Sequence, residues 1–268
     1  PSTYYVNKMR KEDLLMEIDH SQIEGFDKLD PELVDQSFDE GNAYSVPYLW
    51  GTTGLAIDSD AVDPAEVNGW ADLWDEEYNG QVMLTNDMRE VFHVGLSVLG
   101  YSGNTRDPKK IEEAYDKLSE LMPAVRTFNS DAPRMPYLEG ETDIGMIWNG
   151  EAVMGKDDMP SLEYIYPEEG VIVWLDSFVI PKTAANPEAA HQFISFVLQP
   201  EISALISEEI GYATPNLAAR DLLPEEVASN RASYPTSEDM ENAEFQEDVG
   251  DDAMQVYNRY WEQLKTGG

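Results

Sequence analysis

The 268-residue chain has no cysteine, and that single absence excludes disulfide bonds, thiolate metal sites and cysteine nucleophiles. Basic residues are scarce. Seventeen Lys and Arg stand against 53 Asp and Glu, a formal net charge of −36. Such a polyanion repels nucleic acid phosphates and anionic lipid alike, so neither is expected as a partner. The three histidines, His20, His93 and His191, lie too far apart for a local metal motif. No apolar run approaches the roughly 18 residues of a membrane span, and direct membrane insertion is not expected. P-loop, GxGxxG and GxSxG motifs, internal repeats and low-complexity linkers are all missing.

What is there is core material. Hydrophobic residues make up 42% and aromatics 10%, enough to fold despite the acidity. The length allows one large domain or two of ordinary size. Every successive stretch of about fifty residues is net negative, so the acidity is a property of the whole surface and not of a tail. It reads as adaptation to high salt, where self-repulsion is screened within a few Å. The chain opens at Pro1 with no initiator Met and no apolar leader, so any targeting peptide is expected to have been removed or left out.

Short apolar runs alternate with helical patterns, which predicts an α/β architecture. Residues 43–57 read as extended chain broken near Gly51, and 81–84 as a short strand leading to a helix over 87–99. Asp107-Pro108 opens a helix to Met122 whose apolar residues keep helical spacing. Residues 143–148 and the β-branched run 171–180 read as strands. Helices are expected over 187–198, 200–209 and 252–265.

Asp87 and Glu90 sit three apart at a helix start. They fit a capping box, in which first-turn acids meet the positive helix end. That is the stronger reading of the spacing alone; as a functional pair they could instead grip one cationic amine. Trp174 and Asp176 are two apart on a strand and so share one side of the sheet. A carboxylate within an apolar strand is costly to bury unless paired, and the Trp beside it offers a π face that attracts a cation. The alternative is an edge-strand acid facing water beside a core Trp. Trp148-Asn149-Gly150 reads as a strand ending at a turn, while Tyr4, Tyr5, Tyr212 and Gln246 carry no motif of their own. Asp58, Asp60 and Asp63 imitate the opening of a calcium loop, but Gly is missing at its sixth position and Gly69 occupies its twelfth. No metal and no cofactor is expected.

STYYVNKMRKE, SVPYLWGTTGLAI, GWADLW, REVF, LGYSGNT, GMIWNG, WLDSFVIP, IGYATPNLAAR and EFQEDVG occur in that order over essentially the whole chain. Together they resemble the spermidine/putrescine-binding proteins of bacterial ABC polyamine transporters. The resemblance implies the type II periplasmic-binding-protein fold, two α/β lobes joined by crossover segments, with the first lobe incomplete. The first lobe would comprise residues 1–52 and 175–220, the second 53–174 and 221–268. It implies a ligand site of Ser2, Tyr4, Asp87, Glu90, Trp148, Trp174, Asp176, Tyr212 and Gln246, with Ser130 as an addition. Asp87, Glu90 and Asp176 would take ammonium groups, and Tyr4, Trp148, Trp174 and Tyr212 would box the methylene chain. Family members carry several dozen residues upstream of the segment matching Pro1, so weaker polyamine binding is expected of this chain. The implied protein is not an enzyme. It captures spermidine, putrescine or norspermidine in the periplasm and delivers it to the membrane permease of an ABC transporter. Two alternatives remain: a polyamine sensor signalling to a membrane receptor, and a carboxylate-pair glycoside hydrolase using Asp and Glu in a cleft.

Overall fold

A computed structural model describes residues 1–267. The first helix, α1 (Thr3–Lys11), is polar and anchored by the buried Val6. Strand β1 (Ser45–Asp58) runs unbroken through Gly51, contrary to the break expected there, because Gly51 is itself buried within a strand that is apolar or small along most of its length. β2 (Val82–Leu84) leads into α2 (Met88–Val98), whose N-cap is Asp87. Then α3 (Pro108–Leu121) opens on the Asp107 cap with Pro108 in its first turn, where a missing N–H costs nothing.

β3 (Val125–Phe128), the short α4 (Met135–Leu138) and β4 (Ile144–Trp148) follow. At Asn149 the chain enters α5 (Asn149–Asp158) directly, where the sequence predicts a turn. The reason is tertiary: the buried Asn149 side chain accepts the Thr52 N–H at 3.2 Å, fixing this helix start on β1. β5 (Leu162–Ile165) and β6 (Ile172–Val179) precede α6 (Pro187–Val197), capped by Asn186, and α7 (Pro200–Ile210). Gly211, at φ 73°, ends α7 in the left-handed conformation that glycine adopts without steric cost. The short α8 (Leu217–Arg220) and α9 (Glu225–Ala228), then β7 (Glu244–Phe245) and α10 (Asp251–Thr266), complete the order.

The chain divides into two compact units, Pro1–Gly51 with Trp174–Tyr234, and Thr52–Val173 with Pro235–Gly268. It passes from one to the other within β1, within β6 and at Tyr234/Pro235. The segment 221–234, expected with the second lobe, packs in the first unit: Leu223 and Tyr234 join Ala204, Ala213 and Ala219 in one apolar cluster, and Arg220 stacks over the Tyr234 ring at 4.3 Å. A second cluster of the first unit gathers Ile18, Ile23, Leu29, Val46, Ile180, Ile194 and Leu198.

In the second unit, β2 lies parallel to both β3 and β4, while β1 pairs antiparallel with β4 and with β5. Gly145 on β4 is required by this closeness, since a Cβ there would stand 2.0 Å from the Met83 carbonyl oxygen. One main core forms around Trp70, Phe92, Leu118 and Tyr257, with α2, α3 and α10 supplying it. A smaller cluster of Ala56, Met83, Tyr137, Ile147 and Leu162 fills in separately. No helix among the described residues is long and apolar enough to cross a membrane. The acids of the calcium-like stretch cap turns instead: Asp58 accepts the Asp60 N–H and Asp63 the Ala65 N–H.

Candidate functional site

In the second unit the sheet and the start of α2 converge on one carboxylate. The β1–β4 register sets Thr53 opposite Trp148. Glu90, in the first turn of α2, reaches both: its Oε1 accepts the Thr53 hydroxyl at 2.6 Å and the Trp148 indole N–H at 3.0 Å, with the second indole contact to Oε2 at 3.2 Å. Glu90 is only 5% exposed. Burial, and then the neighbouring Asp87 carboxylate, push its pKa up to about 7, while the Thr53, Trp148 and Thr85 groups act against that rise.

The alternatives left open for Asp87 and Glu90 resolve unequally. Asp87 caps the helix, its Oδ1 accepting the Glu90 backbone N–H at 3.0 Å. Glu90 turns its own side chain to Thr53 and Trp148. Ser130 stands close by in the chain fold, its hydroxyl accepting the N–H of Asn86, next to Asp87. Gln246 is buried just after β7, with its backbone N–H on the Val173 carbonyl at 3.4 Å.

In the first unit β6 presents Trp174, Asp176 and Phe178 on its more open side, while Leu175 and Ser177 face inward. Asp176 Oδ1 accepts the Ser2 hydroxyl at 2.7 Å, and Ser177 N–H on the Pro1 carbonyl fixes the chain start beside it. Trp174 meets Tyr212 edge to face, ring centroids 5.1 Å apart. The Trp174 indole N–H is buried without a hydrogen-bond partner. Tyr4 packs on Tyr5 at 4.4 Å, one residue pair of α1.

Three residues escaped the sequence reading. Tyr48 packs on Phe178 at 4.5 Å, and its pKa is raised by burial and then by the Asp176 charge, so the two are neighbours. Thr53 and Thr85 bear on Glu90. Tyr48 and Thr53 sit in the ordinary strand sequence of β1 and Thr85 just past the end of β2, with no local signal at any of them.

Two compact α/β units are threaded by three chain crossings, and each displays a carboxylate beside an aromatic side chain. The sequence profile of bacterial extracellular solute-binding proteins matches residues 1–236, and the chain belongs to that family. It is 50% identical over 267 residues to the spermidine/putrescine-binding periplasmic protein of Escherichia coli (strain K12), covering 100% of this chain and 76% of that protein. A Haemophilus influenzae protein, spermidine/putrescine-binding periplasmic protein 1, is 39% identical over 99% of this chain and 74% of its own length. Among solved structures, a spermidine/putrescine ABC transporter substrate-binding protein from Streptococcus pneumoniae superimposes with a TM-score of 0.88 at 41% identity, covering 99% of this chain and 82% of that one. The fold is accordingly the type II periplasmic-binding-protein fold, and the class binds solutes without transforming them.

Proposed function

We propose that the protein captures a polyamine outside the cytoplasmic membrane and delivers it to an ABC permease. The observation that carries this is Glu90: a buried carboxylate held by a hydroxyl and an indole, with no Lys or Arg paired to it among the described residues. A buried anion without a cation of its own is costly, and an incoming ammonium group supplies the missing partner. The names of the relatives, which bind spermidine and putrescine, point to the same ligand class.

In this reading the two units serve as the two lobes of the fold. Asp87, Glu90 and Asp176 take the ammonium groups, and Tyr4, Trp148, Trp174 and Tyr212 cover the methylenes, with Ser2, Ser130 and Gln246 as polar contacts. Cation–π contact with a desolvated ring adds up to about 2 kcal/mol, and a hydrogen bond to a charged group about 1.5–3 kcal/mol. Two or three of each offset the ordering cost and leave about −8 kcal/mol, a micromolar Kd. Three carboxylates favour the triamine spermidine. A thermal-shift series with putrescine, spermidine, norspermidine and spermine tests the assignment. Spermidine is expected to raise Tm most, as mass action demands of a ligand bound only by the folded state. No shift with any of the four defeats the reading.

A further inference from the structure

Thr53 is fully buried, and its hydroxyl spends its proton on Glu90 at 2.6 Å, the shortest contact that carboxylate makes. Its place is fixed by backbone pairing with Trp148 on β4, so hydroxyl and indole arrive at the same carboxylate from adjacent strands. We propose that Thr53 is a positioning residue that biases Glu90 toward its charged, ligand-ready form without emptying the acid form, so that near neutral pH capture of an ammonium group by Glu90 expels the proton that the acid fraction still carries. The inference rests on the polyamine reading above and adds a regulation of that site.

The chemistry follows from the surroundings. A carboxylate out of water favours its neutral form, and a second anion nearby adds to that preference. Here burial and Asp87 place the Glu90 pKa at about 7. Donors to the charged form oppose the shift, with Thr53 foremost and then Trp148. The elements packed on Glu90 bring Thr53 from β1, Thr85 from just after β2 and Trp148 from β4, none of which titrates near neutrality. On α2 itself Asp87 is the charge that acts, while Arg89 is turned to the Glu247 and Gly103 carbonyls and His93 toward Glu244. In the ligand-free protein at pH 7 part of the population therefore carries Glu90 as the acid. An ammonium group pairs with the carboxylate, and the displaced proton passes to solvent. Primary amines, with pKa values near the roughly 10.4 of lysine, stay charged throughout this range, so the proton comes from the protein.

Calorimetric titration of spermidine into the full chain, from pH 6 to 8.5 in two buffers of different ionisation enthalpy, tests this. About half a proton is expected to leave per ligand at pH 7, with affinity about tenfold weaker at pH 6 than at pH 8. Thr53→Val, nearly the same shape without the donor, is expected to move the midpoint up by about one pH unit, and Thr53→Ser to keep it in place. A residue that merely supports the fold would lower Tm and leave the midpoint alone. Affinity independent of pH with no buffer-dependent heat overturns the proposal, as does an unmoved midpoint in Thr53→Val. Should that variant fail to fold, the wild-type profile against Glu90→Gln decides: proton release that survives in Glu90→Gln overturns it. Absence of binding heat at every pH is a different outcome, and it defeats the polyamine reading and this inference together.

Discussion

Glu90 is the residue at which stability and binding pull in opposite directions. Its pKa rises on folding from 4.5 to about 7, so the native state binds the proton more tightly than the unfolded chain does. The contribution of Glu90 to stability is therefore fully present below about pH 4.5, declines as the pH climbs to about 7, and stays lost above it. Glu90→Gln carries no charge at any pH. It is expected to raise the stability of the ligand-free protein at pH 8 by about 1–3 kcal/mol and to change little at pH 4.5. Urea unfolding at the two pH values measures this, and a variant that is less stable at pH 8 than at pH 4.5 relative to wild type contradicts it. Such a carboxylate is retained at a cost to the free protein, as expected of a group kept for a ligand. The pair Asp87/Glu90 was visible in sequence from its spacing, but its division of labour was not. One acid caps α2 and the other turns away from the cap toward β1 and β4, a choice made by strand register.

At the scale of the element, the parts with local punctuation were legible. Asp107-Pro108 and Asn186-Pro187 start helices, Gly211 stops one, and the alternation in β6 puts Trp174 and Asp176 on one side. The failures share a cause. Asn149-Gly150 carries a turn signal, yet α5 begins there because a long-range hydrogen bond to Thr52 uses the Asn149 side chain. Gly51 reads as a break, yet β1 passes through it, buried and next to Trp50, whose N–H donates to the Ala213 carbonyl. Short strands such as β3, β5 and β7 expose too few residues for a period to register. Of the candidate site residues, Asp87, Glu90, Trp174 and Asp176 drew notice through their own spacing. Ser2, Tyr4, Ser130, Tyr212 and Gln246 came only with the family resemblance, since residues this far apart in sequence have no local pattern. Thr53 came from neither, because a threonine in a strand is what any strand contains.

At the scale of the whole molecule the net charge of −36 exceeds anything a ligand with a few positive charges requires. Three carboxylates are assigned to binding, and the remaining fifty acids set the field of the surface. Self-repulsion of this size weakens the compact state at low ionic strength and is screened as the Debye length shrinks from about 10 Å at 0.1 M to about 3 Å at 1 M salt. Tm is thus expected to climb steadily between 0.1 and 2 M KCl, and a flat profile in a melting series removes high-salt adaptation as the reason for the acidity. The same field speeds the arrival of a polycation at low salt without deciding where it is held. What decides is a few placed carboxylates, and not the general charge. Calorimetric titration of spermidine into the wild-type chain, Asp176→Asn and Tyr212→Phe at fixed ionic strength tests it most directly. Saturable binding by the wild type is expected, with a loss of at least tenfold in Asp176→Asn although the net charge changes by one unit in 36, and a smaller loss in Tyr212→Phe. Equal losses in the two variants, or unchanged affinity in Asp176→Asn, would contradict it.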